Sequence, residues 1–266
     1  MFLFKMLGGS FSYGLNTPAS DVDNRGVFHN TDMSDVFGMT SFEHFENTKD
    51  NADDKFKELR SFFKLLKGGN TEMVELLFSE TFEYCGPIFE YLRQHRTKLV
   101  DTDKLFKVLC GYMQGERKLM NGERRGKKGG HRYESIEKYG YSPKNAVQML
   151  RLAWAGQTLF EKGYFPVNVA TENPAFAQEL LAIKTEPEKF KVEDLNLRAT
   201  LAENRMMHAF AHRGETYRFN TDLMNDVILS VYTPHVALAY QDMVGRLSGG
   251  VELPKQRNEA PTTVQP

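Results

Sequence analysis

Residues 7–28 read LGGSFSYGLNTPASDVDNRGVF, and this stretch decides the fold. Just upstream, the apolar run Phe2-Leu3-Phe4-Lys5-Met6-Leu7 reads as a buried strand that stops at Gly8-Gly9. Ser10 then opens a short helical turn, leaving backbone N–H groups free to receive an anion. Ten residues separate Gly9-Ser10 from Asp21-Val22-Asp23. Side chains at i and i+2 of an extended strand share a face, so Asp21 and Asp23 present two carboxylates side by side. Adjacent carboxylates repel, and each is driven toward protonation unless a cation sits between them. Paired hard-oxygen ligands are a natural seat for Mg²⁺, above all where phosphates complete the coordination. A lone Gly-Ser is usually a turn, and a lone Asp-x-Asp usually a solvated strand edge. Together, in a strand–turn–helix–strand context, they point to metal-assisted nucleotide chemistry.

The rest of the composition narrows the setting. A chain of 266 residues with 41% hydrophobic content can bury one large core or two small ones. Its 20 phenylalanines argue for an ordered protein. A formal charge of −1 gives no global pull toward nucleic acid, so any such attraction must be local. Cys85 and Cys110 lack metal-ligand spacing and read as free buried thiols of a reducing compartment. No apolar run approaches bilayer length, and the N-terminus lacks a signal-peptide h-region, which predicts a cytoplasmic protein with no membrane partner.

Along the chain, residues 1 to about 55 read as strands and turns, with Val27-Phe28 and Val36-Phe37-Gly38-Met39 as short apolar pieces. From Phe56 the period becomes helical: Phe56, Leu59, Phe62, Phe63 and Leu66 recur at three and four until Gly68-Gly69. Asn70-Thr71 caps a second helix. Further helices are predicted near Ile88–Leu92, Asp103–Met120, Ala146 to Gly156, Ala175–Ile183 and Leu195–Phe210. A last apolar stretch, Met224 to Met243, is interrupted at Thr233-Pro234. Residues 117–132, RKLMNGERRGKKGGHR, set seven Lys or Arg against one Glu and read as a basic, Gly-rich connection. That stretch is either a solvated loop or one that closes over phosphates or an RNA backbone. The predicted class is α+β: a small mixed β-sheet core with flanking helices over residues 1–85, a mostly helical region over 86–253, and a flexible tail over 254–266.

The Gly-Ser turn, its ten-residue spacer and the Asp-x-Asp resemble the DNA polymerase β-like nucleotidyltransferase superfamily. The fuller string G-S-x-x-Y-G-L-N-T-P-x-S-D-x-D-x-R-G resembles, more narrowly, the predicted nucleotidyltransferases common in bacteria and bacteriophages. DDKFKELRSFFKLLKGGNTEMVELLF and IEKYGYSPKNAVQMLRL look like two further family blocks. Two positions depart from the pattern: Thr71 stands where proline is usual, and Asn145 and Gln148 where histidine is frequent.

The resemblance implies transfer of a nucleoside monophosphate from an NTP to an acceptor hydroxyl, with release of pyrophosphate and with Mg²⁺ or Mn²⁺ as cofactor. It makes Asp21 and Asp23 metal-binding and catalytic. By the family's spacing before Glu58-Leu59-Arg60, the third acid is Asp53, with Asp54 as competitor or as cap of the following helix. Gly9 and Ser10 would grip the terminal phosphates, Arg25 would neutralise phosphate or brace an aspartate, and Lys144 and Arg151 would reach the triphosphate or form surface ion pairs. The acceptor is expected to be a tRNA-like RNA end, guided by Arg124, Arg125, Lys127 and Lys128. A protein-modifying transferase of the AMPylation type and a non-catalytic nucleotide-binding regulatory module are the alternatives.

Overall fold

The computed structural model describes residues 1–37, 44–47, 53–123 and 130–248. Strands β1 (Phe2–Leu7), β2 (Asn24–Phe28), β3 (His44–Asn47), β4 (Asp54–Glu58) and β5 (Tyr84–Cys85) form one mixed sheet in the order β3-β4-β2-β1-β5. β1 runs antiparallel to β2, with Leu7 opposite Asn24 and Met6 opposite Arg25. β4 lies parallel to β2, placing Lys55 opposite Arg25. This register carries the end of β1, the start of β2 and the start of β4 to one edge of the sheet.

Short helices α1 (Gly9–Ser12) and α2 (Met33–Phe37) interrupt the strands, and α3 (Leu59–Lys67), α4 (Thr71–Phe78) and α5 (Pro87–Gln94) pack the sheet. Phe4 of β1 stacks on Phe89 of α5 at 4.3 Å, and Phe62 of α3 tilts against the same ring. Glu58 caps α3 by accepting from Arg60 N–H at 3.0 Å, and Asn70 caps α4 by accepting from Met73 N–H at 3.1 Å. The remainder is helical: α6 (Thr102–Met120), α7 (His131–Tyr139), α8 (Pro143–Lys162), α9 (Val169–Glu172), α10 (Pro174–Thr185), α11 (Val192–Ala211) and α12 (Thr221–Ser248). The architecture is thus α+β, a small mixed sheet with flanking helices followed by a mostly helical region. One hydrophobic core runs from Leu3 and Phe4 through α3 to α6, α8 and α11. No described helix is long and apolar enough to cross a membrane.

Five local expectations change. Phe56 belongs to β4, not to a helix, because its ring packs on the bare backbone of Gly26 in the neighbouring strand. Asp54 is therefore a strand residue, and the helix cap falls to Glu58. Val36 and Phe37 sit on α2. Gly156 does not end α8: a Cβ there would come 2.7 Å from Met206 Sδ and 2.9 Å from Leu109 Cδ1, so glycine lets α6 and α11 close on α8. Gly163, at φ +80°, is the residue that ends that helix. Pro234 lies inside an unbroken α12. That helix is anchored where the buried Tyr232 hydroxyl donates to Glu58, which helps to offset the proline's cost of about 3 kcal/mol. Residues 117–120 of the basic stretch complete α6, whereas Arg124, Arg125, Lys127 and Lys128, like the tail 254–266 and Gly38-Met39, lie outside the described residues.

Candidate active site

The link between β1 and β2 is built on two glycines. Gly8 N–H donates to Asp23 carbonyl at 2.7 Å, pinning the Asp-x-Asp segment against the turn. A Cβ on Gly8 would come 2.4 Å from Arg25 Cγ, and one on Gly9 would come 2.3 Å from Asp23 Oδ2. Gly9 also has φ +57°, a conformation that side chains disfavour. The Asp23 carboxylate therefore rests on the turn itself. Lys184, arriving from α10, donates to Leu15 carbonyl at 2.9 Å and to Ser20 Oγ at 3.1 Å, fastening the loop just before Asp21. Gly9→Ala is expected to lower Tm by several degrees, because the added methyl must displace Asp23. Calorimetric melting of that variant checks the effect.

Gly9, Ser10, Asp21 and Asp23 line one wall of a cleft of about 440 Å³. Tyr112 and Glu116 of α6, Lys144, Asn145 and Gln148 of α8, and Lys184 line the opposite wall. Burial raises the Asp23 carboxyl above the usual range; Arg25 opposes this, while Asp53 and Asp21 add to it. Burial likewise raises Glu116, although Asn145 donates to its Oε2 at 2.7 Å. Lys184 is lowered by burial and by neighbouring Lys144, against the pull of Asp21. Neither Lys144 nor Lys184 has an ion-pair partner among the described residues; Lys184 is tied down by its two hydrogen bonds, whereas no such bond holds the Lys144 ammonium among the described residues.

Asp53 acts on Asp23 through its charge, but neither Asp53 nor Asp54 is among the residues that line the cleft. Asp54 accepts from Asn24 Nδ2 at 2.6 Å. Asp53 Oδ2 meets Lys55 Nζ at 2.8 Å and Arg25 Nη2 at 3.1 Å, while its Oδ1 is buried with no hydrogen-bond partner among the described residues. Burial works against the Asp53 charge, but Lys55 and Arg25 prevail and hold its carboxyl low. Among the described residues no three such side chains form a ready cage for a metal ion. The donor chemistry nevertheless suits a divalent cation: the carboxylates of Asp21, which is exposed, and Asp23, which is half-buried, stand beside a turn that no side chain obstructs.

Two expected phosphate contacts are committed elsewhere. Arg25 pairs with Asp53 and, through Nε, with Glu72 Oε1 at 3.0 Å, so it braces Asp53 rather than Asp21 or Asp23. Arg151 is completely buried, donates from Nη2 to Glu75 Oε1 at 2.7 Å, and lies 3.6 Å over the Tyr13 ring. Burial opposes its charge, and Glu75 and then Tyr13 more than restore it. The Tyr13 hydroxyl donates to Glu75 Oε2 at 2.8 Å. Lys144 and Arg151 therefore part company despite their seven-residue spacing. Glu116, Tyr112 and Lys184 were not singled out in the sequence; they lie on helices remote from the glycine-serine turn, with no local pattern to flag them. The cysteines are free and half-buried, and burial raises both thiols.

No curated protein matches the chain. A family model does: that of RlaP, the RNA repair pathway DNA polymerase beta family, matches residues 1–229. This span includes the turn, the Asp-x-Asp segment, which lies just ahead of β2 rather than within a strand, both walls of the cleft and the first part of α12. The chain belongs to the RNA repair pathway DNA polymerase beta family, a polymerase beta-like nucleotidyltransferase family.

Proposed function

We propose that the protein moves a nucleoside monophosphate from an NTP to the 3′ hydroxyl of an RNA, with Mg²⁺ or Mn²⁺ as cofactor. One observation carries this reading: the glycine-serine turn and both carboxylates of the Asp-x-Asp line a single cleft, facing the unpaired ammonium of Lys144. In this reaction the acceptor oxygen bonds to the α-phosphorus as the bond from that phosphorus to the bridging oxygen breaks. Pyrophosphate leaves with the electron pair, and the hydroxyl proton passes to the carboxylate cluster. Divalent ions, when bound, neutralise charge on the attacking and leaving oxygens. Asp21 and Asp23 would hold them, joined by Asp53 once its contacts to Lys55 and Arg25 relax.

The remaining residues position the substrate. Gly9 and Ser10 offer backbone N–H groups and a hydroxyl to the terminal phosphates, and Lys144 adds a cation from the helical side. Lys184 sets Asp21 by holding Ser20. In this reading, residues 1–85 form the catalytic core, and 86–253 form a helical domain that supplies the second wall of the cleft. Positioning and charge neutralisation provide most of the rate.

The test is incubation with each of the four α-labelled NTPs, Mg²⁺ and total cellular RNA or protein, followed by gel separation. Label in RNA is the expected result. Label in a protein band instead would make this a protein-modifying enzyme, and label in neither would overturn transfer to a macromolecule. Replacing Arg124, Arg125, Lys127 and Lys128 by Ser should weaken RNA labelling. It should also flatten the salt dependence of RNA binding by about 0.7–0.9 in log–log slope per lost phosphate contact. An unchanged slope would make the segment a connection only.

A further inference from the structure

A second cavity, of about 510 Å³, opens on the helical region between α8, α10 and α11. Its wall carries three aromatic rings, Trp154, Phe176 and Phe190, all partly exposed. Trp154 and Phe176 touch in a tilted pair, with centroids 5.7 Å apart and planes inclined by 49°, so each leaves its outer surface to the cavity. In the sequence Trp154 belongs to the apolar stripe of an amphipathic helix, yet the fold leaves it facing this cavity rather than sealed in the core. Two guanidinium groups reach the rim. Arg198 is an ion partner of Glu179, whereas Arg205 has no ion partner among the described residues. A neighbouring groove of about 270 Å³ shares Gln157, Leu201 and Arg205 with the cavity and runs on to His208.

We propose that this cavity holds a nucleobase of a single-stranded RNA, the acceptor strand, stacked among Trp154, Phe176 and Phe190, with Arg205 on the adjoining phosphodiester. The proposal rests on RNA being the acceptor. Aromatic faces bind any base by stacking, which accounts for half of such a site, and a cation beside them accounts for the other half. The charge favours a strand over a free nucleotide. One uncompensated guanidinium matches a single phosphodiester, whereas a triphosphate would meet too little positive charge here. The shared groove gives the next nucleotide somewhere to lie. Placement agrees as well: Gln148, on the cleft, and Trp154, in the cavity, are six residues apart on α8, about 9 Å along its axis. α10 likewise carries Lys184 to the cleft and Phe176 to the cavity. The cavity and the cleft are thus built on the same two helices.

Trp154 is the only tryptophan of the chain, so its fluorescence reports this cavity directly. Titration of the full chain with a hexamer of riboadenylate, without NTP or metal, should quench that emission saturably. Phe176→Ala should weaken the quenching affinity roughly 5- to 150-fold, the range for loss of one stacked base. Arg205→Gln, at an exposed position, should weaken it and reduce the salt slope by about 0.7. The double variant Asp21→Asn/Asp23→Asn should quench like the native protein. That arm separates this site from the catalytic reading, which stands or falls on label transfer. RNA binding detected by anisotropy without tryptophan quenching would overturn the proposal, as would equal quenching by ATP alone.

Discussion

Replacing Asp21 and Asp23 together by Asn is expected to reduce nucleotide transfer on the order of a thousandfold, equivalent to about 4 kcal/mol in barrier, without loss of fold. Asparagine keeps the shape of each side chain and removes the anionic oxygens. The stability effect has a definite sign. Burial, together with Asp53 and Asp21, raises the Asp23 carboxyl against the opposition of Arg25, so folding favours its protonated form. This contribution is fully present below the ordinary Asp pKa and is lost as pH rises through the folded value. At neutral pH the charged form therefore opposes folding, and the Asn variant should melt at the same temperature or higher. Asp53 runs the other way. Burial opposes its charge but Lys55 and Arg25 outweigh it, so its contribution is present at neutral pH and fades on acidification. Melting curves from pH 4 to 8, beside label-transfer rates, check the pair. Transfer that survives the double substitution would remove both carboxylates from the chemistry. A Tm several degrees lower at pH 7 would make them structural residues.

Such a conflict between stability and function marks the part of the chain that its sequence discloses best. The glycine-serine turn and the Asp-x-Asp are local: ten residues hold them, and two positions lacking side chains let them touch. The helical half was legible where periodicity was long, as in α6, α10 and α11, each found within a few residues of its predicted bounds. Short elements failed for a physical reason. Phe56 fits a three-and-four repeat with Leu59 and Phe63, but also sits three positions into a strand, and only the empty surface of Gly26 decides between them. Gly156 and Pro234 carry the usual marks of a helix end, yet tertiary packing overrides both. The far wall of the cleft was less legible still. Glu116 and Lys184 lie 95 or more positions from Asp21, and no spacing rule connects residues brought together only by helix packing. Charge was the most misleading signal. An arginine reads alike whether it meets solvent, a phosphate or a carboxylate: Arg25, on β2, meets Asp53 and Glu72, and Arg151, on α8, meets the buried Glu75.

The Arg151 pair gives the largest expected effect on stability. Arg151→Met should lower the unfolding free energy by about 3–5 kcal/mol, read from urea denaturation, because Glu75 is left charged and buried beneath the Tyr13 hydroxyl. The removed group also forms a seam of the fold. It ties α8 to α4 and covers the ring that ends α1, so its loss loosens the helical half against the sheet half. Most of the penalty comes from the orphaned carboxylate rather than from the lost attraction. Adding Glu75→Gln to Arg151→Met should therefore recover at least about 1 kcal/mol, a coupling that independent sites would not show. Strictly additive losses would mean that the two side chains do not act as a pair. The same set of variants separates a buried brace from a phosphate ligand. A ligand would lose transfer in every variant lacking the arginine and leave stability nearly untouched. The buried brace predicts the reverse, with transfer at low temperature following the folded fraction and rising again when Glu75 is neutralised.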